Sequence, residues 1–193
     1  MRNLPFRQPG RFFKGNLHTH STRSDGALEP VAVVAAYRER GYDFLALTDH
    51  FLAPFDFPIT DTRVYHDASF TTLLGAELHA PETEHGEFWH LLAVGLPLDF
   101  APPKSDETGP MLAARAAKAG AFVGIAHPAW YTLTLTDALS IEAAHAVETY
   151  NENSLERRSM SFGPSSAGNQ GFAVPAPRLY STTILYSPSS TRT

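Results

Sequence analysis

Short apolar runs recur along the chain, and turn residues and helix-like stretches follow most of them. This alternation is typical of successive β-α units, in which apolar strands are joined by helices across one face of a sheet. The pattern predicts six strands, at residues 12–17, 44–47, 73–77, 89–94, 122–126 and 146–150. We therefore expect an α/β fold.

Two helices have clear end signals. Pro30 and Gly41 bracket the first, and Pro110 and Gly120 bracket an alanine-rich second. Proline is favoured in the first turn of a helix and glycine just after its last turn, so both stretches are predicted helices. Residues 51–70 are rich in Pro, Asp and Thr without a clear period, which predicts a long loop and a candidate lid.

Residues 159–193 differ in composition from everything before them. They are rich in Ser, Thr, Pro and Gly, and their only charged residues are Arg178 and Arg192. Such a composition does not continue the β-α pattern. We therefore predict one domain over residues 1–158 and an atypical tail over 159–193, which is a disordered or non-native ending, with a flexible linker as the alternative.

Composition and charge exclude several kinds of partner and site. A chain of 193 residues is long enough for one well-packed domain, and its net charge of −5 argues against an extended nucleic-acid surface. No run approaches the roughly 20 apolar residues of a membrane span, and no apolar segment follows the basic N-terminus, so we expect a cytoplasmic protein with no membrane partner. Because the chain has no cysteine, any metal must be held by histidine and carboxylate.

Histidines and acids gather where the predicted strands end. His18 and His20 are one residue apart, so their rings can point the same way, and Asp25 follows in a turn before a glycine. Asp49 and His50 leave the end of the strand at 44–47, where ligand sites of α/β proteins lie. The alternative for this pair is a helix-capping aspartate and an ordinary loop histidine.

The same arrangement recurs at Glu77, His90 and His127. His90 alone could be a core histidine, but repetition around one sheet is hard to attribute to packing. Buried acids and imidazoles need partners, and cations supply them. The predicted metal ligands are His18, His20, Asp25, His50, Glu77, His90 and His127. Nitrogen and oxygen donors without sulfur suit Zn, Mn or Fe, and seven donors predict two or three divalent ions. No organic cofactor is indicated.

The remaining candidates are weaker. His66 and His85 fall in loop-like sequence, His145 lies at a predicted helix end, and the orientation of His79 is open. Glu148 ends the last predicted strand, either as a group that supports the ligands from behind or as an ordinary cap residue.

The assembled pieces NLHTHSTRSDG, FLALTDH, GAE, HLLAVGL, GIAHPAW and VETYN, in this order over residues 14–151, resemble the PHP (polymerase and histidinol phosphatase) family of metallohydrolases. The first two pieces also look like the carbaryl-hydrolase-like branch of that family. The resemblance implies a distorted (β/α)7-type barrel, here incomplete at its C-terminal end. It also implies a trinuclear site, most often for phosphoester hydrolysis.

The resemblance further implies how the ligands are shared. His18, His20 and Glu77 would hold one ion, and Glu77 would bridge to a second ion held with His90 and His127. Asp25 and His50 would hold the third. In the implied mechanism, a metal-bridging hydroxide attacks phosphorus while the cations stabilise charge on the phosphoryl oxygens.

One family motif is missing. Family members end the site with Asp-x-His, whereas the last aspartate here is Asp137 and the last histidine is His145. Only the site of Glu77, His90 and His127 is then complete. The leading hypothesis is a phosphoesterase acting on a small phosphorylated molecule. Arg23 is a candidate phosphate contact, but its sequence context favours an ordinary exposed loop arginine. The alternatives are a carbamate, amide or ester hydrolase of the same fold, and a non-catalytic or inactive truncated PHP domain.

Overall fold

The computed structural model describes residues 10–149 and 151, together with the backbone of residues 183–188. Its helices are α1 (Pro30–Glu39), α2 (Gly109–Lys118) and α3 (Leu135–Ser140). Its strands are β1 (Gly10–Asn16), β2 (Phe44–Leu47), β3 (His50–Phe51), β4 (Thr71–Ala80), β5 (Trp89–Val94), β6 (Phe122–Ile125), β7 (Ala146–Val147) and β8 (Thr183–Pro188). All six strands and both helices predicted from the pattern are present, and the strands at 44–47 and 89–94 have the predicted ends, while the ends of the other strands are shifted.

The strands form a curled sheet in the order β7-β6-β5-β4-β2-β1-β8, and β3 pairs with β4 beside this path. β1, β2 and β4 run parallel, but β5 is antiparallel to both β4 and β6. The mixed α/β class is therefore confirmed and the sheet is compatible with an incomplete barrel. The regular (β/α)7 alternation is not seen, because only residues 81–88 separate β4 from β5, and a parallel crossover needs about a dozen residues.

β8 lies inside the 159–193 segment, for which the composition predicts disorder. Its backbone pairs antiparallel with β1 from Gly10↔Pro188 to Gly15↔Thr183, so it adds an edge strand without continuing the β-α pattern. The other residues of the segment lie outside the described part of the chain, and the predicted boundary at residue 158 stays a prediction.

Two apolar clusters hold the elements in place. Leu78 and Leu91 on the sheet pack with Leu112 of α2, and all three side chains are fully buried. Val34 and Tyr37 of α1 pack with Leu45 of β2 in a second, separate cluster. Burial of each leucine contributes about 1.5–3 kcal/mol, so these clusters fix the strands that carry the polar residues described below.

Two features modify the predicted loops. Residues 51–70 contain short 3-10 turns at Ala53–Phe55 and Arg63–Tyr65. The helix α3 ends at Ser140, before the helix end predicted at His145, and it begins with a capping box in which Thr134 and Asp137 bond reciprocally. Within the described residues, no helix is both long enough and apolar enough to cross a membrane.

Candidate metal centre

The side chains of β4 alternate between two environments. Ala76, Leu78 and Ala80 belong to the apolar cluster, whereas Glu77 and His79 point to the opposite face. The neighbouring β5 follows the same rule, since His79 lies opposite His90 in the antiparallel register. The period-2 geometry of two paired strands therefore places an acid and two imidazoles on one face.

Glu77 is the centre of this face and is completely buried. Its two carboxylate oxygens contact five imidazoles. Oε1 lies 2.8 Å from His90 Nδ1 and 3.1 Å from His127 Nε2, and Oε2 lies 3.5 Å from His18 Nε2, 3.1 Å from His20 Nε2 and 2.9 Å from His50 Nδ1. The carboxylate of this β4 residue thus joins imidazoles from the loop after β1, from the start of β3, from β5 and from just after β6.

His18 and His20 lie in the loop after β1, because the strand ends at Asn16. Hydrogen bonds orient this loop from both sides. Asn16 Oδ1 accepts from the His18 amide at 3.0 Å, and the backbone of Thr48 donates to the Thr19 carbonyl at 2.7 Å. The loop is therefore fixed to the end of β2 before any ligand binds.

Asp49 supports the same loop. Its carboxylate accepts from the amide and hydroxyl of Ser21, at 2.6 and 2.8 Å, and from the hydroxyl of Ser24 at 2.8 Å. Asp49 is buried and belongs to none of the potential metal-binding groups among the described residues. It holds the loop instead of capping a helix, which was the alternative raised by the sequence.

Asp25 lies at the open side of the site. Its Oδ1 is 2.7 Å from His20 Nδ1 and its Oδ2 is 3.4 Å from His50 Nε2, while its side chain is 58% exposed. This third set of ligand atoms is therefore closer to solvent than the Glu77 sets, and we expect it to hold an ion less tightly.

The structure brings all seven sequence-predicted residues together. Three groups, each with ligand atoms within 4.8 Å of one another, match the sets implied by the family resemblance, with His20 added to the third: His18/His20/Glu77, Glu77/His90/His127 and His20/Asp25/His50. Their role as metal ligands stays a prediction.

Two further residues join the cluster. His79 forms a group with His50 and Glu77, and Glu148 forms one with His18 and His127. The period-2 relation of His79 to Glu77 was a signal that could have included it. Glu148 follows β7, and the sequence shows an acid at the end of this strand. The sequence does not show that its partners are His18 and His127. His66 and His85 lie in exposed loops and join no group.

The charges of the cluster are strongly coupled. Burial opposes protonation of His18, but the carboxylates of Glu77 and Glu148 outweigh it and raise the pKa of His18 to about 9. Against the same effect of burial, the nearby carboxylates of Asp25 and Glu77 raise the pKa of His20 and of His50 to about 9. Protons and metal ions therefore compete for these nitrogens.

The pKa values of Glu77 and of two other histidines of the cluster, His79 and His90, shift in the opposite direction. Although burial opposes it, His18 and the hydrogen-bonding imidazoles hold the pKa of Glu77 well below its ordinary value. Burial lowers the pKa of His79 to about 3 and also lowers the pKa of His90. His79 and His90 are thus neutral at pH 7, which is the form of histidine that binds metals.

The geometry of Glu77 fits a bound cation. Its Oε2 accepts no well-aligned hydrogen bond from the described residues, although three ring nitrogens lie within 3.5 Å. The Nδ1 atom of His127 is also buried without a hydrogen-bond partner there. A convergent set of buried nitrogen and carboxylate donors, without sulfur, suits Zn, Mn or Fe.

Aromatic rings enclose one side of the centre. The Trp130 ring meets His90 and His127 edge-on at centroid distances of 5.0 and 4.9 Å, and the buried Tyr131 ring lies 5.1 Å from His90. These contacts restrict rotation of two predicted ligands and exclude water from their outer side. A further ring, that of Phe55, stacks against His50 with a distance of 6.2 Å between the ring centroids.

No family model and no curated protein matches the chain. Several solved structures are similar to it, and in the three described below the similarity covers 76% of this chain. One is a two-domain protein from Bacteroides vulgatus containing a predicted PHP-like metal-dependent phosphoesterase, with 19% identity and a TM-score of 0.53. The chain spans about half of that protein's length, 48%.

The second is a protein from Bifidobacterium adolescentis assigned as a metal-dependent phosphoesterase, with 15% identity, a TM-score of 0.55 and 82% of its length covered. The third is an amidohydrolase from Chromobacterium violaceum, solved with bound sulfate and no metal, with 15% identity, a TM-score of 0.53 and 81% coverage. At these identities the similarity concerns the fold. The fold of this chain is consistent with that of a PHP family member.

Proposed function

We propose that this chain is a metal-dependent phosphoesterase that acts on a small phosphorylated substrate. The observation that carries the proposal is the buried carboxylate of Glu77, which contacts five imidazoles and is shared by three groups of three potential ligands. Such a shared carboxylate is the arrangement expected of a bridging ligand between two cations. Two of the solved proteins with similar folds are assigned as metal-dependent phosphoesterases, which supports the same class of reaction.

The residues have separate roles in this proposal. Glu77 with His18 and His20 would hold one divalent ion, Glu77 with His90 and His127 a second, and Asp25 with His50 a third. The ions, when bound, would lower the pKa of water and neutralise charge on a phosphoryl group. Zn, Mn and Fe all suit the donor set, and a cytoplasmic location stays a prediction from the sequence.

The protein's own groups prepare the site for this role. Asp49 and Thr48 fix the loop that carries His18 and His20, so these imidazoles are held in place before an ion arrives. Trp130 and Tyr131 pack on His90 and His127 and shield them from water. Arg23 is exposed in the same loop as Asp25 and is the proposed contact for an incoming phosphate.

The test is elemental analysis of the purified chain, coupled to hydrolysis of an aryl phosphate and an aryl carbamate with added Mn or Zn. We expect two or more ions per chain and faster turnover of the phosphate. Faster turnover of the carbamate would favour the alternative hydrolase of the same fold, as the amidohydrolase neighbour suggests. One ion or none without turnover of either compound would contradict the proposal.

Specificity of the assay requires matched variants. Glu77→Gln should abolish metal-dependent turnover, because an amide cannot serve as an anionic bridge between two cations. Glu82→Gln makes the same chemical change at an exposed position after β4 and should retain the wild-type rate. Equal activity of both variants would show that the hydrolysis belongs to a contaminant or to another site.

A further inference from the structure

Glu148 contacts two predicted ligands that come from opposite ends of the sheet. Its carboxylate oxygens lie 3.2 and 3.3 Å from Nδ1 of His18, and its Oε2 accepts a hydrogen bond from the backbone amide of His127 at 2.9 Å. The Glu148 side chain is 11% exposed. One carboxylate therefore touches the loop after β1 and the residue after β6.

The orientation of the His18 ring separates the roles of its two nitrogens. Nε2 faces Glu77 at 3.5 Å, while Nδ1 faces Glu148. An ion held together by His18 Nε2 and Glu77 would thus lie on the side of the ring away from Glu148. A carboxylate that accepts from the distal N–H of a ligating imidazole fixes its tautomer and its orientation.

The backbone of His127 donates a hydrogen bond to the same carboxylate. Its backbone φ is 20°, at the edge of the left-handed region that side chains other than glycine seldom adopt. The hydrogen bond from its amide to Glu148 offsets part of this backbone strain. In this conformation His127 presents Nε2 to Glu77 Oε1 at 3.1 Å.

Glu148 is itself held in position. The side-chain amide of Asn151 donates to both of its oxygens at 3.3 Å, and the Glu148 amide donates to the Ile125 carbonyl at 2.8 Å. With His18, His127 and Asn151 around it, the carboxylate already has several hydrogen-bond partners. It is therefore better suited to orient other residues than to act as a further ligand.

We infer that Glu148 is a positioning residue that sets the tautomer of His18 and the backbone of His127, and so prepares the first and second metal sites together. This inference rests on the proposed metal centre. It concerns a residue at the end of β7, outside the seven predicted ligands, and it makes the affinities of two sites depend on one buried side chain.

The experiment measures zinc affinity of the full chain by competition with a chelating dye, for wild type, Glu148→Ala, Glu148→Gln and the control Glu142→Ala. Glu142 is an exposed glutamate shortly before Glu148 in the sequence, and it joins none of the potential ligand groups among the described residues. We expect Glu148→Ala to weaken zinc binding about 10- to 100-fold. Glu148→Gln should lose less, since its amide oxygen still accepts one hydrogen bond, and Glu142→Ala should match wild type.

A second readout distinguishes positioning from simple structural support. In zinc-loaded protein, the imidazole Nδ1–H proton of His18 should give a slowly exchanging NMR resonance in wild type and in Glu142→Ala, and this resonance should be lost in Glu148→Ala. If Glu148→Ala does not fold, the zinc affinity and the altered resonance of Glu148→Gln decide the question in its place.

The outcomes separate the two proposals. A wild-type chain that takes up no zinc overturns the metal centre itself. A wild-type chain that binds zinc, with folded Glu148 variants that bind it equally tightly and keep the His18 resonance, overturns only the role of Glu148. A lower melting temperature without any change in zinc affinity would also contradict the inference.

Discussion

The most informative perturbation of the proposed centre is Glu77→Gln. This carboxylate belongs both to the group with His18 and His20 and to the group with His90 and His127, which would hold the first and second ions. An ion that binds only the folded chain stabilises it by about 2.7 kcal/mol at 100 times its dissociation constant. For a chain of this size, 1 kcal/mol corresponds to about 2–4 °C in melting temperature. Each ion should therefore raise the melting temperature by about 5–11 °C, and two ions by about twice as much.

Glu77→Gln should lose most of this metal-induced rise. The comparison uses the difference between zinc-loaded and chelator-treated protein, because the substitution also removes the negative charge that five imidazoles face in the metal-free chain. Differential scanning calorimetry measures the shift, and Glu82→Gln serves as the exposed control. A wild-type chain without a zinc-dependent shift, or a Glu77→Gln variant with the full shift, would show that the carboxylate does not bridge bound ions.

Three other substitutions test separate parts of the structure. Asp25→Ala should remove only the weakest ion, because Asp25 is 58% exposed and outside the Glu77 groups, and elemental analysis should then find one ion fewer than in wild type. Glu107→Gln breaks a two-point ion pair with Arg115, at 2.7 and 2.8 Å, and should cost about 1–3 kcal/mol at pH 7 in urea unfolding. Arg115 lowers the pKa of Glu107 below 4.5, so this cost should shrink as the pH falls below that value and vanish in strong acid. Thr134→Ala removes the cap of α3 and should lower stability by about 1 kcal/mol in the same assay, whereas an unchanged midpoint would mean that α3 does not contribute to the folded state.

The strands and the cluster could be predicted because both depend on local periodicity. Phe44–Leu47 and Trp89–Val94 are apolar runs bounded by turn residues, and the structure gives them the same ends. The topology depends on information of longer range. The antiparallel β4–β5 pairing follows from a short connection, and the regular barrel pattern implied by the resemblance does not allow for it.

The residues that sequence reasoning placed less well are those whose role depends on a distant partner. Glu148 faces His18 across 130 positions of sequence, and no local pattern indicates such a pair. From the sequence, Asp49 is either part of a ligand site at a strand end or the cap of a helix. In the structure its carboxylate instead accepts hydrogen bonds from Ser21 and Ser24 in the loop after β1. His79 could have been included, since it shares a strand face with Glu77.

The missing Asp-x-His motif bears unequally on the three proposed ions. Without it, Glu77, His90 and His127 still offer three buried donors, whereas the third site relies on an exposed aspartate and on His20, which also faces Glu77. Affinity depends on the number of ligands and on how firmly they are held before binding. The site of Glu77, His90 and His127 should therefore fill first, and the site of Asp25 and His50 should fill last. Glu77 and the pair His18–Glu148 connect the first of these to the site of His18 and His20, so an ion in either of these two sites should stabilise the other.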